Sequence, residues 1–309
     1  MNESVRIPTP EEIAAVKGLG FLLDKTTGAH FNARVLTVNG RIDSCKLRAI
    51  AQAAEKFGNG KVAFTTRLTV EVQHIPYDNI QPFIDFLGEN GLEVGGTGPK
   101  VRPVVSCKGT TCQYGLIDTY SLSEKIHYEF YKGYHNVKLP HKFKIAVGGC
   151  PNNCVKPDLN DLGIIGQRRP VISEEKCRGC KVCQVEKACP VKCAKLIDGK
   201  IVIPENECNG CGRCRTKCPF GAVEKYTDGY KVYIGGRWGK KSDRGKPLSV
   251  LLTSEQEVMR VVESAILLFR DKGEAGERFA DTVARIGFEN AEKMLISGEM
   301  LERKAEILA

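Results

Sequence analysis

The sequence predicts an α+β protein that contains a short cysteine-rich segment. Alternating apolar residues in "RLTVEVQHI", which begins at Arg67, indicate a half-buried strand. Apolar residues recur at helical spacing behind Ser254, where Glu257 completes a capping-box signature that marks a helix start. Between these segments lie two similar runs of four cysteines, each ending in Cys-Pro. With 309 residues, 42% of them apolar, the chain is long enough for two or three domains.

The N-terminal hundred residues predict a strand, a turn, a helix and a second strand, in that order. The dipeptide Asn39-Gly40 marks the turn. An amphipathic helix is expected from about Asp43 to Lys56, and the second strand from Lys61 to Gln73. No apolar run approaches the roughly 20 residues that a membrane helix needs.

Composition and the N-terminus predict a cytoplasmic protein that binds metal. The segment "MNESVRIPTPEE" has no basic stretch followed by an apolar one, so we expect no secretory signal. Because cytosolic thiols are kept reduced, fourteen cysteines indicate metal ligation rather than disulfides. The formal net charge of +9 fits either a solvated basic surface or an anionic ligand or partner, such as nucleic acid, an acidic redox protein or a polycarboxylate cofactor.

The two cysteine runs predict two [4Fe–4S] clusters. In each run, three cysteines at C-x2-C-x2-C spacing precede Cys-Pro, as in bacterial ferredoxins, where the fourth cysteine binds the other cluster. Gly179, Gly210 and Gly212 let the backbone bend around a cluster. Zinc sites use well-separated C-x2-C pairs or cysteine with histidine instead. The expected ligands are Cys177, Cys180, Cys183, Cys189, Cys208, Cys211, Cys214 and Cys218, with Cys193 as an extra candidate.

Two further cysteine pairs form a second constellation. Cys107 and Cys112 lie in "VVSCKGTTCQYG", and Cys150 and Cys154 lie in "VGGCPNNCVKPDLNDLGIIG". On spacing alone, two close pairs about forty residues apart fit zinc or an iron–sulfur cluster equally well. The C-x3-C spacing is expected to place both sulfurs on one side of a helical turn.

These pairs resemble the signature of the sulfite and nitrite reductase family, in which a cysteine sulfur joins a [4Fe–4S] cluster to the iron of sirohaem. The family has a first cysteine pair followed by C-x3-C with proline after its first cysteine, as in "GGCPNNCVKP". The resemblance implies that Cys107, Cys112, Cys150 and Cys154 bind the cluster, and that Cys154 supplies the bridging thiolate. The first pair has one residue fewer between its cysteines than in many relatives.

The resemblance covers nearly the whole chain and implies its domain organisation. Residues 1–100 correspond to the family's ferredoxin-like half-repeat, and residues 101–166 and 229–309 to its sirohaem and [4Fe–4S] domain. Residues 167–228 separate two strands, "DLGIIG" and "YKVYIGG", that follow each other closely in relatives. The expected architecture is a ferredoxin-like half-repeat plus a sirohaem-binding α+β domain, with an inserted bacterial-type 2[4Fe–4S] ferredoxin domain. Within the family, the chain most resembles the anaerobic sulfite reductases of some bacteria and archaea.

The resemblance also assigns the positive charge to a site for substrate and cofactor. Sirohaem carries eight carboxylates and sulfite is an oxyanion, so such a site concentrates cations. Lys-Phe-Lys at 142–144 places both lysines on one face of an extended segment and Phe143 in the core, although alone it equally fits a solvated basic strand. The residues that match the family's sulfite-binding set are Arg67, Arg102, Lys142 and Lys144. Additional candidates for sirohaem or cluster contacts are Arg34, Thr65, Thr66, Thr110, Thr111, Asn152 and Asn153.

The implied reaction is the six-electron reduction of sulfite to sulfide, with sirohaem and three [4Fe–4S] clusters as cofactors. No strand–GxGxxG–helix fingerprint is present, so electrons are expected from a partner through the two clusters of the insert. The resemblance implies an iron–sulfur subunit and a flavin subunit that uses NADH. Only one copy of the sirohaem module is present, which favours a homodimer or a covering partner. No nucleic acid or membrane partner is expected.

Three alternatives stay open at this point. The same cofactor reduces nitrite to ammonia, although two lysines favour sulfite, whose oxygens carry more charge. A chain that had kept its clusters and lost sirohaem would transfer electrons without catalysis. A zinc-dependent nucleic-acid binder would align basic residues with aromatic ones, for which "GRWGKKSDRGK" is the only hint.

Overall fold

The N-terminal part of the chain is a four-stranded antiparallel sheet covered by helices. The computed structural model describes residues 5–309, so the first four residues of the expected N-terminal segment lie outside the described residues. The elements are α1 Pro10–Lys17, β1 Phe21–Leu23, β2 His30–Val35, α2 Ser44–Phe57, β3 Val62–Phe64, β4 Val70–Pro76 and α3 Ile80–Glu89. The strand order is β1-β2-β4-β3. Ile50, Phe57 and Phe83 of the helices are buried in one core with the inward-facing residues of the strands.

The predicted turn and helix of this part are confirmed. Asn39 and Gly40 have the positive φ values, 56° and 83°, that the turn requires. Helix α2 begins directly after Asp43, as the apolar spacing predicts.

The single strand predicted over Lys61–Gln73 is wrong. This segment is a hairpin, in which β3 and β4 pair antiparallel around a turn at residues 65–69. The Thr65 amide donates to the Thr69 carbonyl at 2.9 Å, and Leu68 adopts a left-handed backbone with φ of 62°. The turn interrupts the apolar alternation without breaking its period, so the pattern resembles one strand. As a result, Arg67 lies at the tip of a hairpin.

A five-stranded mixed sheet organises the rest of the chain, in the order β11-β10-β7-β6-β5. The elements are β5 Val105–Ser106, α4 Thr119–Ile126, β6 Ile145–Gly148, β7 Leu162–Val171, α5 Gln184–Ala188, β8 Lys195–Ile197, β9 Lys200–Val202, β10 Lys225–Ile234, β11 Lys246–Pro247, α6 Glu255–Lys272, α7 Phe279–Ile286, α8 Phe288–Ser297, α9 Glu299–Glu302 and α10 Lys304–Leu308. Strands β5, β6 and β7 are parallel to one another, whereas β10 and β11 continue the sheet antiparallel.

The C-terminal helices cover this sheet and complete its core. Ser254 and Glu257 form the predicted capping box at the start of α6. Phe143 is fully buried and packs its ring against Phe269 of α6 and Phe279 of α7, at centroid distances of 5.9 and 5.1 Å. The predicted inward direction of Phe143 is therefore confirmed. Within residues 5–309, no helix is both long and apolar enough to cross a membrane.

The cysteine-rich segment leaves the second sheet between two paired strands. Strands β7 and β10 form a continuous antiparallel ladder from the Leu162–Ile234 pair to the Val171–Lys225 pair. The ladder therefore extends beyond the boundaries expected at 167 and 228, and residues 172–224 project from its end. Two neighbouring residues thus serve as the exit and re-entry points of the insert.

Candidate active site and cluster sites

The two cysteine-pair loops meet because they follow neighbouring parallel strands. Cys107 comes directly after β5, and Cys150 comes two residues after β6. Strands β5 and β6 pair in parallel, so the loops at their carboxyl ends leave the same edge of the sheet. The hydrogen bond from the Cys107 amide to the Val147 carbonyl, 3.1 Å long, extends this pairing to the first cysteine.

Glycines let the two loops approach each other closely. A Cβ on Gly149 would lie only 2.7 Å from the Gly109 Cα and 3.4 Å from the Cys107 sulfur. The Gly149 amide donates to that sulfur at 3.1 Å, as amides do around thiolate ligands. Any side chain at either glycine would push the loops apart.

The four thiols share one neighbourhood. Burial raises the pKa of the Cys150 thiol, and the nearby Cys107, Cys154 and Cys112 thiols contribute to the rise. Within residues 5–309, no three His, Cys, Asp or Glu side chains are close enough together to hold a single metal ion. The ligands of a [4Fe–4S] cluster bind four separate irons, so they need to surround a shared space without converging on one point.

The C-x3-C segment is not the helical turn that the spacing predicts. It forms two consecutive turns, with the Asn153 amide bonded to the Cys150 carbonyl at 3.2 Å and the Lys156 amide to the Asn153 carbonyl at 2.9 Å. Asn153 and Lys156 take left-handed backbone conformations, with φ of 57° and 48°. These left-handed conformations at Asn153 and Lys156 are incompatible with a continuous right-handed helix. Cys154 is exposed at the second turn.

Arg67 is anchored by the protein at the seam between the two sheets. Its guanidinium donates to the carbonyls of Pro103, at 2.6 and 3.2 Å, and of Ile145, at 3.2 Å. A further bond of 3.1 Å reaches the Asn160 side chain, whose amide donates to the Lys156 carbonyl at 3.0 Å. Burial lowers the pKa of Arg67 to about 10. Asn160, which sequence reasoning missed, thus connects Arg67 to the Cys154 turn.

The other predicted cations surround Arg67 and repel one another. Burial, together with the Arg34 charge, lowers the pKa of Arg102 to about 10. Burial and the charges of Arg67 and Arg278 lower the pKa of Lys144 to about 8. The pKa of Lys142 is lowered by burial and by Arg278 and Arg102. The structure therefore brings together all four residues of the expected sulfite-binding set.

A buried ion pair, which the sequence analysis did not predict, contacts the backbone of this cationic set. Asp161 is fully buried, and both of its carboxylate oxygens accept from the Arg278 guanidinium, at 2.9 and 3.0 Å. One of these oxygens also accepts from the Lys144 amide at 2.9 Å. Asp161 lies within "NDLGIIG", where the apolar strand is the dominant signal, and Arg278 lies at the start of α7 without any motif.

The unmet hydrogen-bonding capacity of this site fits a polyanionic group. The buried Nε atoms of Arg34, Arg102 and Arg278 have no hydrogen-bond partner among the described residues, although Arg34 lies 3.7 Å from the Glu71 carboxylate and Arg278 pairs with Asp161 through another nitrogen. Leaving such donors unpaired costs free energy, and several mutually repelling cations add to that cost. A ligand with several carboxylates would relieve both, so the residues present fit sirohaem.

Most of the additional candidates for sirohaem or cluster contacts already form hydrogen bonds with nearby residues. The Thr65 hydroxyl pairs with that of Thr69 at 2.7 Å, and Thr110 donates to Asp118, the N-cap of α4, at 2.7 Å. Thr111 bonds to the Lys108 carbonyl at 3.3 Å. Thr66 and Asn152 are exposed. Asn153 donates to Asp158 at 2.8 Å, and its buried side-chain oxygen has no partner within residues 5–309.

The cysteines of the insert surround a core of their own. Val185, Ile201 and Val223 are buried there against Cys214 and several other cysteines. Burial raises the pKa of Cys214 to about 11, with contributions from Cys208, Cys211 and Cys189. Cys189 therefore lies beside the second cysteine run, although it belongs to the first. Its sulfur is 3.6 Å from that of the buried Cys193.

The second cysteine run packs directly against the sheet beside the Cys150 loop. Arg168 of β7 forms a bridge with Cys211, and its amide donates to the Gly210 carbonyl at 2.7 Å. A cavity of about 220 Å³ separates the two loops and is lined by both Cys150 and Cys211. The insert and the four-cysteine site are thus neighbours across one small cavity.

Two family profiles match the chain. Residues 97–304 match the nitrite and sulphite reductase 4Fe-4S domain, and residues 24–90 match the nitrite/sulfite reductase ferredoxin-like half domain. Together they cover every strand of both sheets except β1.

Curated relatives extend the likeness over most of the chain. The coenzyme F420-dependent sulfite reductase of Methanocaldococcus jannaschii is 32% identical over 266 residues, which cover 85% of this chain and 40% of that protein. One subunit of the anaerobic sulfite reductase of Salmonella typhimurium is 31% identical over 269 residues, which cover 81% of this chain and 74% of that protein. The chain therefore spans less than half the length of the first relative.

Two solved structures share the fold. The crystal structure of dissimilatory sulfite reductase I matches with a TM-score of 0.69 at 19% identity, and the match covers 87% of this chain and 69% of that chain. The structure of the NirA protein of Mycobacterium tuberculosis matches with a TM-score of 0.65 at 16% identity, and the match covers 96% of this chain and 48% of that chain.

Proposed function

Because this chain belongs to the nitrite and sulphite reductase family, we propose that it reduces sulfite to sulfide at a sirohaem coupled to a [4Fe–4S] cluster. One observation carries the proposal, namely a set of mutually repelling cations with unpaired buried donors, joined through Asn160 to the Cys154 turn. Such a site suits a polycarboxylate cofactor and a small oxyanion.

Four thiols are proposed to hold the coupled cluster. Cys107 and Cys150 stand at the ends of parallel strands, while Cys112 and Cys154 lie on the loops that follow. Cys154, exposed on the outer turn, is proposed as the bridging thiolate. Sirohaem, when bound, supplies the electron chemistry at the sulfur atom.

Three cations are proposed to bind the oxygens of sulfite. Arg102, Lys142 and Lys144 are only partly buried, and Lys142 and Lys144 share one face of their segment. Arg67 belongs to the same set, but its donors are engaged by Pro103, Ile145 and Asn160. We therefore propose that Arg67 contributes positive charge to the site and helps to shape it, without donating hydrogen bonds directly to sulfite.

Lys144 is proposed to donate protons as oxygen leaves as water. For each sulfide, the reaction consumes six electrons and seven protons and releases three waters. A donor whose pKa lies near the working pH is best suited to this role, and the pKa of Lys144 is about 8. The buried Asp161 holds the Lys144 backbone in place and is therefore a positioning residue.

The insert is proposed to be a ferredoxin domain that carries two [4Fe–4S] clusters and delivers the electrons. The position of Cys189 beside the second triplet supports the exchange of fourth ligands that bacterial ferredoxins use. The cluster of the second run would lie nearer the Cys150 loop, across the cavity that both loops line. The cluster of the first run would then receive electrons first.

Partner subunits and domain boundaries are further parts of the proposal. Residues 101–166 and 229–309 would form the sirohaem domain, and residues 1–100 the half domain. An iron–sulfur subunit and a flavin subunit that uses NADH would supply electrons, or two copies of the chain would associate. The Salmonella relative is one subunit of its enzyme, which supports a role within a hetero-oligomer.

Turnover with a chemical reductant tests the function. The anaerobically purified protein is supplied with reduced methyl viologen and either sulfite or nitrite, and sulfide and ammonia are measured separately. We expect sulfide, with about six viologen radicals oxidised for each one, and a higher kcat/KM for sulfite. A higher kcat/KM for nitrite would instead identify a nitrite reductase, and no turnover with either anion would contradict the proposal.

A further inference from the structure

The two cysteine runs of the insert differ in what surrounds them. The second run bonds to β7 through Gly210 and approaches the Cys150 loop. The first run instead forms hydrogen bonds with other residues of the insert. The Ile201 amide donates to the Cys177 sulfur at 3.3 Å, and the Lys200 ammonium donates to the Cys177 carbonyl at 3.1 Å. The Cys177 contacts thus lie within the insert, whereas Gly210 of the second run bonds directly to β7.

Large apolar side chains are exposed around the first run. Val182, between two cysteines of the first run, is 57% exposed, and Phe220, just after Cys218, is 49% exposed. A Cβ on Gly221 would lie 3.7 Å from the Lys176 side chain, so the Phe220 segment adjoins the beginning of the first run. In ferredoxin order, Cys218 shares its cluster with this run, so both side chains flank the same expected cluster.

Basic residues predominate around these side chains, although Glu174 and Glu175 precede Lys176 in the sequence and Glu224 lies beside Gly221. Between positions 176 and 183, and again between 208 and 218, every charged residue is basic. Lys176 is paired with Glu224, and Arg213 and Arg215 cover the rings of Tyr114 and Tyr226. The remaining three have no ion-pair partner among the described residues and are exposed, namely Arg178, Lys181 and Lys217.

We propose that Arg178, Lys181, Val182, Lys217 and Phe220, here termed the entry face, are the docking surface for a small acidic iron–sulfur protein that donates single electrons. This inference rests on the proposed entry of electrons through the insert. Unpaired positive charge around an exposed apolar centre complements an acidic surface and steers its approach. An apolar centre with a polar rim is also the usual composition of a transient protein interface.

The electron balance is consistent with a carrier of this kind. Each docking event oxidises the carrier by one electron and reduces one cluster of the insert by one electron, and six such events serve one sulfite. The protons are taken up separately at the substrate site. A carrier with its own exposed cluster delivers single electrons without a hydride acceptor, for which the chain has no nucleotide-binding fingerprint.

Charge reversal at the entry face tests the proposal. The Arg178→Glu/Lys181→Glu variant is compared with Lys25→Glu/Lys61→Glu, which changes the same charge at exposed positions of the N-terminal part. The probe is a reduced, acidic 2[4Fe–4S] ferredoxin. We expect the entry-face variant to have a KM for this ferredoxin at least tenfold higher than that of the wild type. This KM should also depend much less on salt concentration than the KM of the wild type. The control should match the wild type, and both variants should keep the viologen-linked rate.

Two outcomes separate this inference from the proposed function. If the wild type makes no sulfide with viologen, the proposed function fails. If all three proteins turn over with viologen and share one KM for the ferredoxin, the entry face is wrong and the function stands. Should the double variant lose iron, Phe220→Ser decides the question without changing charge: an increase of the KM by about fivefold supports docking there, and an unchanged KM overturns it.

Discussion

Lys144 combines a backbone fixed by Asp161 with an ammonium whose pKa is lowered to about 8 by burial and by neighbouring cations. If it donates protons, the rate of sulfite reduction should fall as the pH rises through this pKa, because the neutral amine has no proton to give. Bound anions favour the charged form, so the fall should begin at or above pH 8 when sirohaem is present.

Lys144→Met should therefore slow turnover by about a hundredfold and remove this falling limb from the pH profile of kcat. Sirohaem and iron contents should stay near those of the wild type. The matched control is Lys138→Met, since Lys138 is exposed and outside the cationic set. A variant at position 144 with wild-type kinetics would return this lysine to the role of a solvated basic residue.

Cys189 and Cys193 compete for one position in the insert. Their sulfurs are 3.6 Å apart, and both line a small cavity with Cys208, Cys211 and Cys214. The Cys-Pro pattern favours Cys189 as the ligand. Cys193→Ala should leave the iron content unchanged, whereas Cys189→Ala should lose about four irons per chain, measured by iron analysis and by electron paramagnetic resonance of the reduced protein. The reverse result would make Cys193 the ligand.

Cys154→Ser tests the bridging thiolate, because a hard hydroxyl is a poor substitute for a soft sulfur. We expect sulfite reduction to be lost, while the electron paramagnetic resonance signals of the two insert clusters persist. Full activity with sirohaem bound would contradict the assignment of Cys154.

At the scale of single residues, the sequence alone could predict the face on which a side chain lies but not its hydrogen-bond partners. The alternation of Lys142, Phe143 and Lys144 fixes which side chains share a face, and the structure agrees. The bonds of Arg67 to three backbone and side-chain acceptors could not be predicted, because they depend on where a hairpin meets a different sheet. Arg278 is 117 residues from Asp161 and has no motif.

At the scale of elements, the Asp161–Arg278 pair joins the start of β7 to the start of α7. Removing one member leaves the other buried and uncompensated, so Arg278→Met should lower the free energy of unfolding by about 3–5 kcal/mol. The double variant Asp161→Asn/Arg278→Met should recover part of this loss, because no buried charge is then left. Urea-induced unfolding of both variants measures the difference. Equal destabilisation would show that the buried Asp161 charge left behind is not the cause of the loss.

The hairpin of β3 and β4 shows why element boundaries were harder to predict than elements. Its apolar residues keep a period of two through the turn, so the alternation gives no signal at Thr65. Leu68 adopts a left-handed conformation that is unusual for its residue type, and only the tertiary position of the turn accounts for it. That the two cysteine loops share one site was implied by the family resemblance, and the parallel pairing of β5 with β6 explains how the fold brings them together.

At the scale of the whole molecule, the continuous ladder of β7 and β10 indicates how the insert can be removed. Joining Val171 to Lys225 by a short Gly-containing turn would convert the ladder into a simple hairpin. The trimmed chain should fold, bind sirohaem and reduce sulfite with reduced viologen, because the proposed substrate site lies outside the insert. It should fail with a protein donor, since the entry face is gone.

Two results of that experiment would count against these expectations. Unchanged activity with the protein donor would show that electrons enter elsewhere. A trimmed chain without sirohaem would show that the contact of Gly210 and Cys211 with β7 is part of the cofactor site.

We propose that this chain holds sirohaem next to a cluster bound by Cys107, Cys112, Cys150 and Cys154. The most direct test is the absorption spectrum of the anaerobically purified protein, taken together with its iron content. We expect a Soret band and a red band of sirohaem, with about 13 irons per chain, four for each of three clusters and one for sirohaem. Broad brown absorption without a Soret band would instead identify an electron carrier, and a colourless, zinc-containing protein would rule out both sirohaem and the clusters.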